Sequence, residues 1–525
     1  MKSDICIYGG TSAGVIAAVA STKLGRSVIL IEPGRHLGGM SSGGLGQTDI
    51  GNKAAIGGMA RDFYRRIGKV YGERETWMFE PHVAEKVFAD LIAEANAGGE
   101  RIRVLLNHRI SEVEKAAGRI GRIELAHVPS DDRNAPGADE KLIEHVIVES
   151  AMYIDAGYEG DLMARAKVGY TVGREASDQY GESLDGIRAQ TPKHQFIVPV
   201  DPYVKPGQPS SGLLPLIQEG DGGKPGDGDH RVQTYNFRLC ITQNKENQIS
   251  IGPPAGYDPG RYEILGRYFE ALQAAKKPTG LGNFMKIDRV PNGKTDINNN
   301  GPISTDFIGM NWDYPDGDPA LRARSWHAHL DYIQGFLHYL ATGERVPMDV
   351  RKEMRSWGLS KDEFTDTGGW PHQMYVREAR RMIGPYVVTQ AVCEHKTTAD
   401  DAIGLAAYNM DSHNCQRIVQ NGTVRNEGDV QVAPAAPYPI SYRAITPKKE
   451  ECENLLVPVC LSASHIAYGS IRMEPVFMLL AQSAATAAHL AMEKKCSVQD
   501  VDAATLQSRL LDAGQILKWN APPKK

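Results

Sequence analysis

The chain has 525 residues, of which 41% are hydrophobic and 23% are charged, and its net charge is −5. This length exceeds what one hydrophobic core usually serves, so we expect two domains. The composition is that of a globular protein, and a slightly acidic chain without any Lys/Arg-rich run argues against a nucleic-acid partner.

Cysteine usage and the first residues bear on the compartment. Seven cysteines are scattered without CxxC spacing, a pattern that predicts neither a disulfide framework nor a metal site and suits a reducing compartment. No signal-peptide pattern precedes the first apolar run, and no uncharged apolar stretch reaches about 18 residues. We expect a soluble, cytoplasmic protein without a membrane partner, although a trimmed export signal would leave the same pattern.

The start of the chain predicts a βαβ unit. Asp4–Tyr8 is apolar, Ser12–Leu24 is alanine-rich with helical spacing, and Ser27–Ile31 is a second apolar run. The second run shows no polar alternation, which is typical of a parallel strand covered on both faces. Strand, turn, helix and strand in this order form one βαβ unit.

The turn of this unit, Gly9–Gly14, reads GGTSAG and predicts a dinucleotide site. Glycine allows the tight turn and close helix–strand contact, and amides at the helix N-terminus bind a pyrophosphate. Glu32 follows Gly14 by 18 positions, close to the roughly 20 expected of an acid that binds ribose hydroxyls. Thr11 replaces the middle glycine, so its side chain either points away from the phosphate or helps to bind it.

Two further stretches favour FAD over NAD. Past Glu32 the chain reaches a second glycine pair, Gly38-Gly39, whose backbone suits contact with the long pyrophosphate–ribityl chain of a flavin. The strand that ends at Asp155, followed by Ala156-Gly157, is similar to a strand that passes the FAD pyrophosphate in flavoproteins with two dinucleotide-binding domains. Together these pieces predict FAD as the cofactor.

The remaining elements are predicted from periodicity. Helices are expected at 60–71, 81–97, 320–342 and 474–493, strands at 103–106, 110–114, 120–126, 145–149, 151–155 and 455–461, and a hairpin tip at 131–140. From about residue 185 proline and glycine increase, and the next two hundred residues carry many aromatic side chains.

A family resemblance spans nearly the whole chain. It is carried by GGTSAG, EPGRHLGGMSSGGLGQTDIG, IGGMARDFYRR, IDAGYEGDLMARA, TVGREASDQYGES, YNFRLCIT, HKTTADDAIGLAAYNMDSHN and SASHIAYGSIRMEPVFMLLAQSAATAA. These stretches resemble bacterial FAD-dependent oxidoreductases often labelled "xanthan lyase-like". The resemblance implies an α/β fold with a glutathione-reductase-type, Rossmann-type FAD/NAD(P)-binding domain, a parallel sheet with helices and a β-meander layer. We assign this domain to residues 1–185 and 386–525, and an inserted α+β substrate domain to residues 186–385.

Motif and resemblance together give the predicted cofactor-binding residues. In similar flavoproteins the start of the final helix faces the flavin ring, and its positive end stabilises the anionic reduced flavin. The predicted set is Gly9, Gly10, Thr11, Ser12, Ala13, Gly14, Glu32, Pro33, His36, Gly38, Gly39, Met40, Ile110, Ala156, Gly157, Asp161, Ser464, Arg472 and Met473. Nothing distinguishes His36 from an ordinary loop histidine, so covalent flavin attachment is not favoured.

Four residues are the catalytic candidates: His465, His413, Asp411 and Arg472. His465 can act as the general base that takes a hydroxyl proton during hydride transfer, because an unperturbed histidine has a pKa near neutrality; the alternative is that His465 stabilises a turn. Asp411 and His413 have three interpretations: they form an acid–base pair, they bind sugar hydroxyls, or they belong to a polar hairpin. Arg472 adds positive charge near the flavin.

A cluster of charges at residues 377–381 has two interpretations. Arg377, Glu378, Arg380 and Arg381 form either structural ion pairs, which we favour, or a binding site for a substrate anion.

The leading functional hypothesis is a flavin-dependent oxidoreductase that moves a hydride between flavin N5 and a small polar substrate, a carbohydrate or another polyol. The alternatives are a net non-redox elimination or isomerisation through a transient keto intermediate, and a flavin-binding protein without catalysis. The sequence does not identify the electron acceptor, and a homo-oligomer is left open.

Overall fold

The structure is a computed structural model that describes residues 1–138 and 145–520. Its strands are β1 (Lys2–Tyr8), β2 (Val28–Glu32), β3 (Ile102–Leu106), β4 (His108–Ala116), β5 (Arg119–His127), β6 (His145–Asp155), β7 (Tyr170–Thr171), β8 (Ile241–Thr242), β9 (Gln248–Ile249), β10 (Met285–Val290), β11 (Lys294–Asn299), β12 (Gly358–Ser360), β13 (Arg381–Met382), β14 (Ala402–Ala406), β15 (Met410–Ser412), β16 (Gln416–Gln420), β17 (Thr423–Glu427), β18 (Val430–Val432), β19 (Tyr438–Ser441) and β20 (Leu455–Leu456). Its α-helices are α1 (Ser12–Lys23), α2 (Gly39–Ser42), α3 (Gly58–Val70), α4 (Pro81–Ala95), α5 (Asp161–Arg165), α6 (Glu263–Ala274), α7 (Pro319–Thr342), α8 (Met348–Met354), α9 (Gln390–Cys393), α10 (His465–Ile471), α11 (Glu474–Lys494) and α12 (Ala503–Asp512).

The largest sheet has the strand order β3-β2-β1-β6-β5-β4, with β20 also paired to β6. Strands β3, β2, β1, β6 and β20 run parallel, whereas β5 and β4 extend the sheet as an antiparallel meander. The apolar runs of β1 and β2 are buried, as the lack of polar alternation predicts for parallel strands. The sheet confirms the predicted α/β, Rossmann-type fold.

Strand β6 corrects one prediction. The strands expected at 145–149 and 151–155 form one continuous strand. On one side its first half pairs with β5 and its second half pairs with β20. On the other side it pairs with β1, which holds the two halves in one line. The predicted hairpin tip at 131–140 lies between β5 and β6, and its residues 139 and 140 lie outside the described residues.

The strand predicted at 455–461 is also shorter than expected. Only Leu455 and Leu456 pair with β6, opposite Tyr153 and Ile154. Residues 457–461 remain buried, so their apolar character reflects packing and not strand pairing.

Helices α1 and α11 pack against each other beside the sheet. Helix α11 is rich in alanine and buried along most of its length, and small side chains allow close packing with α1. It is also the one helix in the described ranges that is long and apolar enough to cross a membrane, but 89% of its apolar window is buried inside the protein, as in a core helix.

The predicted inserted region contains a second, antiparallel sheet with the order β10-β11-β8-β12-β9. Helices α6, α7 and α8 lie in the same part of the chain. Helix α7 begins where predicted, because Asp318 accepts a hydrogen bond from the Leu321 amide and Pro319 occupies the first turn. Strand β13 then pairs with β7 and returns the chain to the first domain. The predicted domain boundaries stay predictions.

Candidate cofactor and active site

The turn between β1 and α1 has the backbone that the glycine motif predicts. Gly9 has a φ of +99°, and a Cβ there would lie 2.5 Å from the Gly157 nitrogen. A Cβ at Gly14 would collide with the carbonyl oxygen of Gly9. Any larger residue at these positions would separate β1, α1 and β6, so the glycines keep the helix N-terminus close to the sheet.

The contacts of the Thr11 side chain bear on its two predicted roles, pointing away from the phosphate or helping to bind it. Its hydroxyl donates to the Ala156 carbonyl at 2.8 Å and accepts from the Gly14 amide at 3.2 Å. The side chain therefore points away from the phosphate position, caps α1 and ties the turn to the end of β6.

Glu32 ends β2 with its carboxylate held by two backbone amides. Gly10 donates to Oε2 and Gly34 donates to Oε1, each at 2.6 Å. Burial raises the pKa of Glu32 to about 7, although these two amides oppose the rise. Each oxygen keeps lone pairs that can accept from ribose hydroxyls.

A cavity of about 390 Å³ lies over the turn and reaches Glu32 at one side. Among the predicted cofactor residues it is lined by Gly9, Thr11, Glu32, Pro33, Ile110, Gly157 and Asp161. The helix N-terminus, the glycine contacts and the carboxylate on one cavity wall fit the pyrophosphate and the adenosine ribose of FAD.

Part of the cavity wall comes from the predicted inserted region, which the sequence motif does not reveal. It comprises Tyr314, Asp316, Gly317, Asp318, Pro319, Arg322, Trp326, Gln373 and Arg380. Arg322 and Arg380 both bind Asp161, each at 2.7 Å. Although burial opposes it, these two guanidinium groups lower the pKa of Asp161 well below its usual range. Asp161 therefore joins the two regions at the cavity.

The second glycine pair supports the turn and does not line this cavity. Gly38 donates to the Gly10 carbonyl at 2.8 Å, and the Met40 amide donates to the Tyr158 hydroxyl at 2.9 Å. Gly39 lies against the ring of Tyr158. Gly10, Ser12, Ala13, Gly14 and Ala156 likewise shape the turn from behind the cavity wall.

His36 lies outside the cavity lining. Its ring nitrogens are 2.8 Å from Glu85 and 2.9 Å from Asp366, and its ring stacks on His372 at 3.9 Å. The two rings are parallel to within 1°, so their in-plane lone pairs do not converge on one metal ion. This geometry gives His36 a structural role between the glycine loop and the inserted region.

Ser464 and Met473 also lie outside the lining of this cavity. Ser464 caps α10 and donates to Glu182 at 2.7 Å. Met473 precedes α11, whose first residue, Glu474, accepts hydrogen bonds from Ser41 and Tyr158 at 3.0 and 2.8 Å. Their contact with a bound flavin stays a prediction.

Three of the four catalytic candidates meet in one cluster. Asp411 accepts from Arg472 at 2.9 Å and lies 3.5 Å from His413, whose other ring nitrogen lies 2.8 Å from Asp306. The side chains of His413 and Asp411 are 11% and 15% exposed, so the cluster is largely buried but keeps a small exposed surface. Burial and Arg377 lower the pKa of His413, but Asp306 and Asp411 outweigh them and raise it.

The fourth candidate, His465, is enclosed. Its Nδ1 lies 2.7 Å from Glu378 and its Nε2 lies 3.0 Å from the Ser412 hydroxyl. Both ring nitrogens of His465 lie within 3.0 Å of protein groups, whereas Nε2 of His413 is 3.5 Å from Asp411, so His465 is the less available of the two to a substrate proton. Ser412 stands between Asp411 and His413 in the chain, so His465 supports the cluster from behind; its catalytic role stays a prediction.

The charges at 377–381 form ion pairs. Arg380 binds Asp161 and Asp316, and Arg381 binds Glu175 and Glu378. Arg377 lies 3.0 Å from Asp306. This residue alone among the three arginines joins the cluster of His413.

Fold, turn and cavity together define a dinucleotide-binding protein of the Rossmann type. Residues 4–510 match the model of a family described as FAD dependent oxidoreductase. The chain belongs to this family, and it is therefore a flavin-dependent enzyme with FAD as its cofactor. The match confirms the predicted family at this level, whereas the narrower "xanthan lyase-like" group stays a prediction.

Solved structures match the chain at low identity. A geranylgeranyl bacteriochlorophyll reductase-like protein from Thermoplasma acidophilum is 11% identical over 98% of this chain and 84% of its own, with a TM-score of 0.37. Sdh1 of Mycobacterium smegmatis is 11% identical over 34% and 41%, with a TM-score of 0.23. L-proline dehydrogenase from P. horikoshii is 17% identical over 34% and 25%, with a TM-score of 0.19. The chain thus spans less than half the length of the last two, and no curated protein matches it.

Proposed function

We propose that the enzyme oxidises an alcohol carbon (CH–OH) of a small polar substrate, a carbohydrate or related polyol, by hydride transfer to flavin N5. The observation that supports this proposal is the largely buried cluster of His413, Asp411 and Arg472. It combines a group that takes up protons near neutral pH with carboxylate and guanidinium groups that bind hydroxyls.

Each residue of the cluster has a distinct role in this proposal. His413 accepts the hydroxyl proton, and Asp306 and Asp411 hold its ring and stabilise its positive charge. Arg472 fixes Asp411 and places a positive charge at the site. Bound FAD supplies the hydride acceptor.

The test is anaerobic mixing of the FAD-loaded protein with a panel of sugars and polyols. A substrate bleaches the visible absorption of oxidised flavin. His413→Gln should slow this bleaching by about 10²–10⁴-fold, the usual contribution of a general base. His395→Gln is the matched control, because His395 is an exposed loop histidine whose ring lies 3.0 Å from the Ala436 carbonyl and takes no part in the cluster. Equal rates for wild type and His413→Gln would exclude His413 as the base.

The same experiment separates the alternative chemistry. A lyase or isomerase that uses FAD without net oxidation makes product over many turnovers without any electron acceptor. The proposed oxidoreductase makes no more than one product per flavin under these conditions.

A further inference from the structure

Three buried guanidinium groups surround the ring of Tyr375. The guanidinium carbons of Arg377, Arg472 and Arg238 lie 4.8, 5.7 and 5.9 Å from the ring centroid. Tyr375 lies two residues after Gln373, which lines the cofactor cavity. Arg472 donates to the Tyr375 hydroxyl at 3.0 Å and so connects the ring to the proposed catalytic cluster.

Each arginine is oriented by its own aspartate. Arg238 donates to Asp296 through Nε and Nη2 at 2.7 and 2.6 Å. Arg377 lies 3.0 Å from Asp306, and Arg472 donates to Asp411 at 2.9 Å. The Arg side chains are 0–2% exposed. Guanidinium groups that are fixed in this way present their remaining N–H bonds in defined directions.

Each of the three arginines keeps at least one donor without a hydrogen bond. Among the residues that the structure describes, no hydrogen-bond partner is found for Arg238 Nη1, Arg472 Nε, or Nε and Nη2 of Arg377, although Arg377 Nη2 lies 3.0 Å from the Asp306 carboxylate. The nearest carboxylate to Arg238 Nη1 is that of Asp49, at 3.9 Å, which is too far for a hydrogen bond. Burying an unsatisfied donor is costly, and more so on a charged group. The free donors therefore call for an oxygen acceptor supplied from outside the chain.

The unpaired atoms are donors on charged guanidinium groups, and this determines which acceptor they favour. A substrate hydroxyl both donates and accepts, whereas a carboxylate only accepts and offers about four lone-pair positions. A guanidinium donor and a carboxylate also form the stronger, charge-assisted bond. We propose that Arg238, Arg377 and Arg472, gathered round Tyr375, bind a carboxylate of the substrate, which is a hydroxy acid of the sugar-acid type and not a neutral polyol.

The electrostatics agree with this assignment, which rests on the proposed function. Burial lowers the pKa of Arg377, and the neighbouring Arg472 and Arg238 add to the lowering while Asp306 opposes it. The three cations thus repel one another, and a bound carboxylate relieves this repulsion. Arg472 contacts Asp411 beside His413, so the same substrate presents its acid to the arginines and a hydroxyl to His413.

The test uses the full-length, FAD-loaded protein and sugars matched in all but the acid group: D-glucuronate with D-glucose, and D-galacturonate with D-galactose. Binding is measured by calorimetric titration, and flavin bleaching is measured anaerobically. Charge-assisted bonds predict about 10- to 100-fold tighter binding of the acid in at least one pair. Equal affinity within both pairs, or no binding of either acid, overturns the carboxylate site.

The two proposals fail in different ways. If the acid binds selectively but no sugar bleaches the flavin, the carboxylate site stands and the proposed oxidation is wrong. If the neutral sugars bleach the flavin as well as the acids, the proposed oxidation stands and the carboxylate site is wrong.

Variants test which arginines carry the selectivity. Arg377→Gln and Arg238→Gln should each reduce the acid-to-neutral affinity ratio by about tenfold, and Arg238→Lys serves if the glutamine variant does not fold. Arg174→Gln is the matched control, because Arg174 is equally buried and pairs with Asp229 and Glu427 away from Tyr375. A ratio that falls equally in the control, or in none of the variants, overturns the assignment.

Discussion

At the residue scale, Gly14 carries the most constrained backbone contact of the cofactor site. A Cβ at this position would collide with the Gly9 carbonyl, at the turn that holds the helix N-terminus beside the cavity. Overpacking of this kind costs about 1–3 kcal/mol and displaces the backbone. Gly14→Ala should therefore purify with little bound flavin, which the ratio of visible to ultraviolet absorbance measures.

Gly98→Ala is the control for that substitution. An added Cβ at Gly98 meets no atom within 4 Å, and its φ lies outside the left-handed region. This variant should purify as yellow as the wild type. A fully yellow Gly14→Ala protein would contradict the placement of the pyrophosphate at this turn.

His413 gives a second prediction at this scale, on the pH dependence of substrate oxidation. A general base works in its neutral form, and the pKa of His413 is raised by Asp306 and Asp411 against the effect of burial and Arg377. The rate of flavin reduction should therefore rise with pH through a value above about 6.5, the ordinary value for histidine. Asp306→Asn removes one stabilising charge and should move this rise to lower pH.

Asp429 is another titrating group near His413, since burial raises its pKa to about 7. Asp429→Asn distinguishes the two groups. A profile that loses its rise in Asp429→Asn, and does not move in Asp306→Asn, would assign the titration to Asp429.

At the scale of elements, His36 joins the glycine loop before α2 to the inserted region. It pairs with Glu85 of α4 and with Asp366. Burial lowers the pKa of His36, but these two carboxylates outweigh burial and raise it. A raised pKa in the folded protein stabilises it below about pH 6.5, and this stabilisation is lost as the pH rises through the folded value.

We therefore expect the difference in melting temperature between wild type and His36→Asn to be largest at about pH 6 and to shrink towards about pH 9. The stacking of the His36 ring on His372 does not need a charge and should leave a smaller, constant difference. His338→Asn is the control, because burial lowers the pKa of His338. A His36→Asn difference that does not change with pH would show that the ion pairs contribute nothing.

The elements also show what periodicity can predict. The first strand was predictable from its apolar run, and helices α1, α7 and α11 were predictable from their apolar or alanine-rich patterns. A side-chain cap at Thr11 or Asp318, or a proline in the first turn of α11, marks where each helix begins. The single strand β6 was not predictable, because its two halves pair with partners that lie about three hundred residues apart in the chain. Strand β20 is likewise defined by its partner and not by its own apolar run.

At the scale of the whole molecule, the cofactor cavity is built by both predicted regions. The turn at Gly9–Gly14 and Glu32 could be found from the sequence, because a short motif carries their chemistry. Tyr314 and Gln373 could not, because they reach the cavity wall only through the fold of the inserted region. The same holds for Arg238 and Tyr375, which no local pattern connects to Arg472.

This construction predicts how cofactor binding affects stability. A ligand that binds only the folded chain stabilises it by about 2.7 kcal/mol at a hundredfold excess over its Kd. FAD bound in this cavity would contact the dinucleotide turn and the wall that includes Tyr314, Arg322 and Gln373, so it should raise the melting temperature of the FAD-free protein in a concentration-dependent way. FMN lacks the adenosine half that would reach Glu32 and should stabilise the protein far less at the same concentration.

Thermal unfolding of the FAD-free protein with a series of FAD and FMN concentrations measures both effects. Equal stabilisation by the two flavins would mean that the cavity beside Glu32 does not hold adenosine, and the assignment of this cavity to FAD would then be wrong.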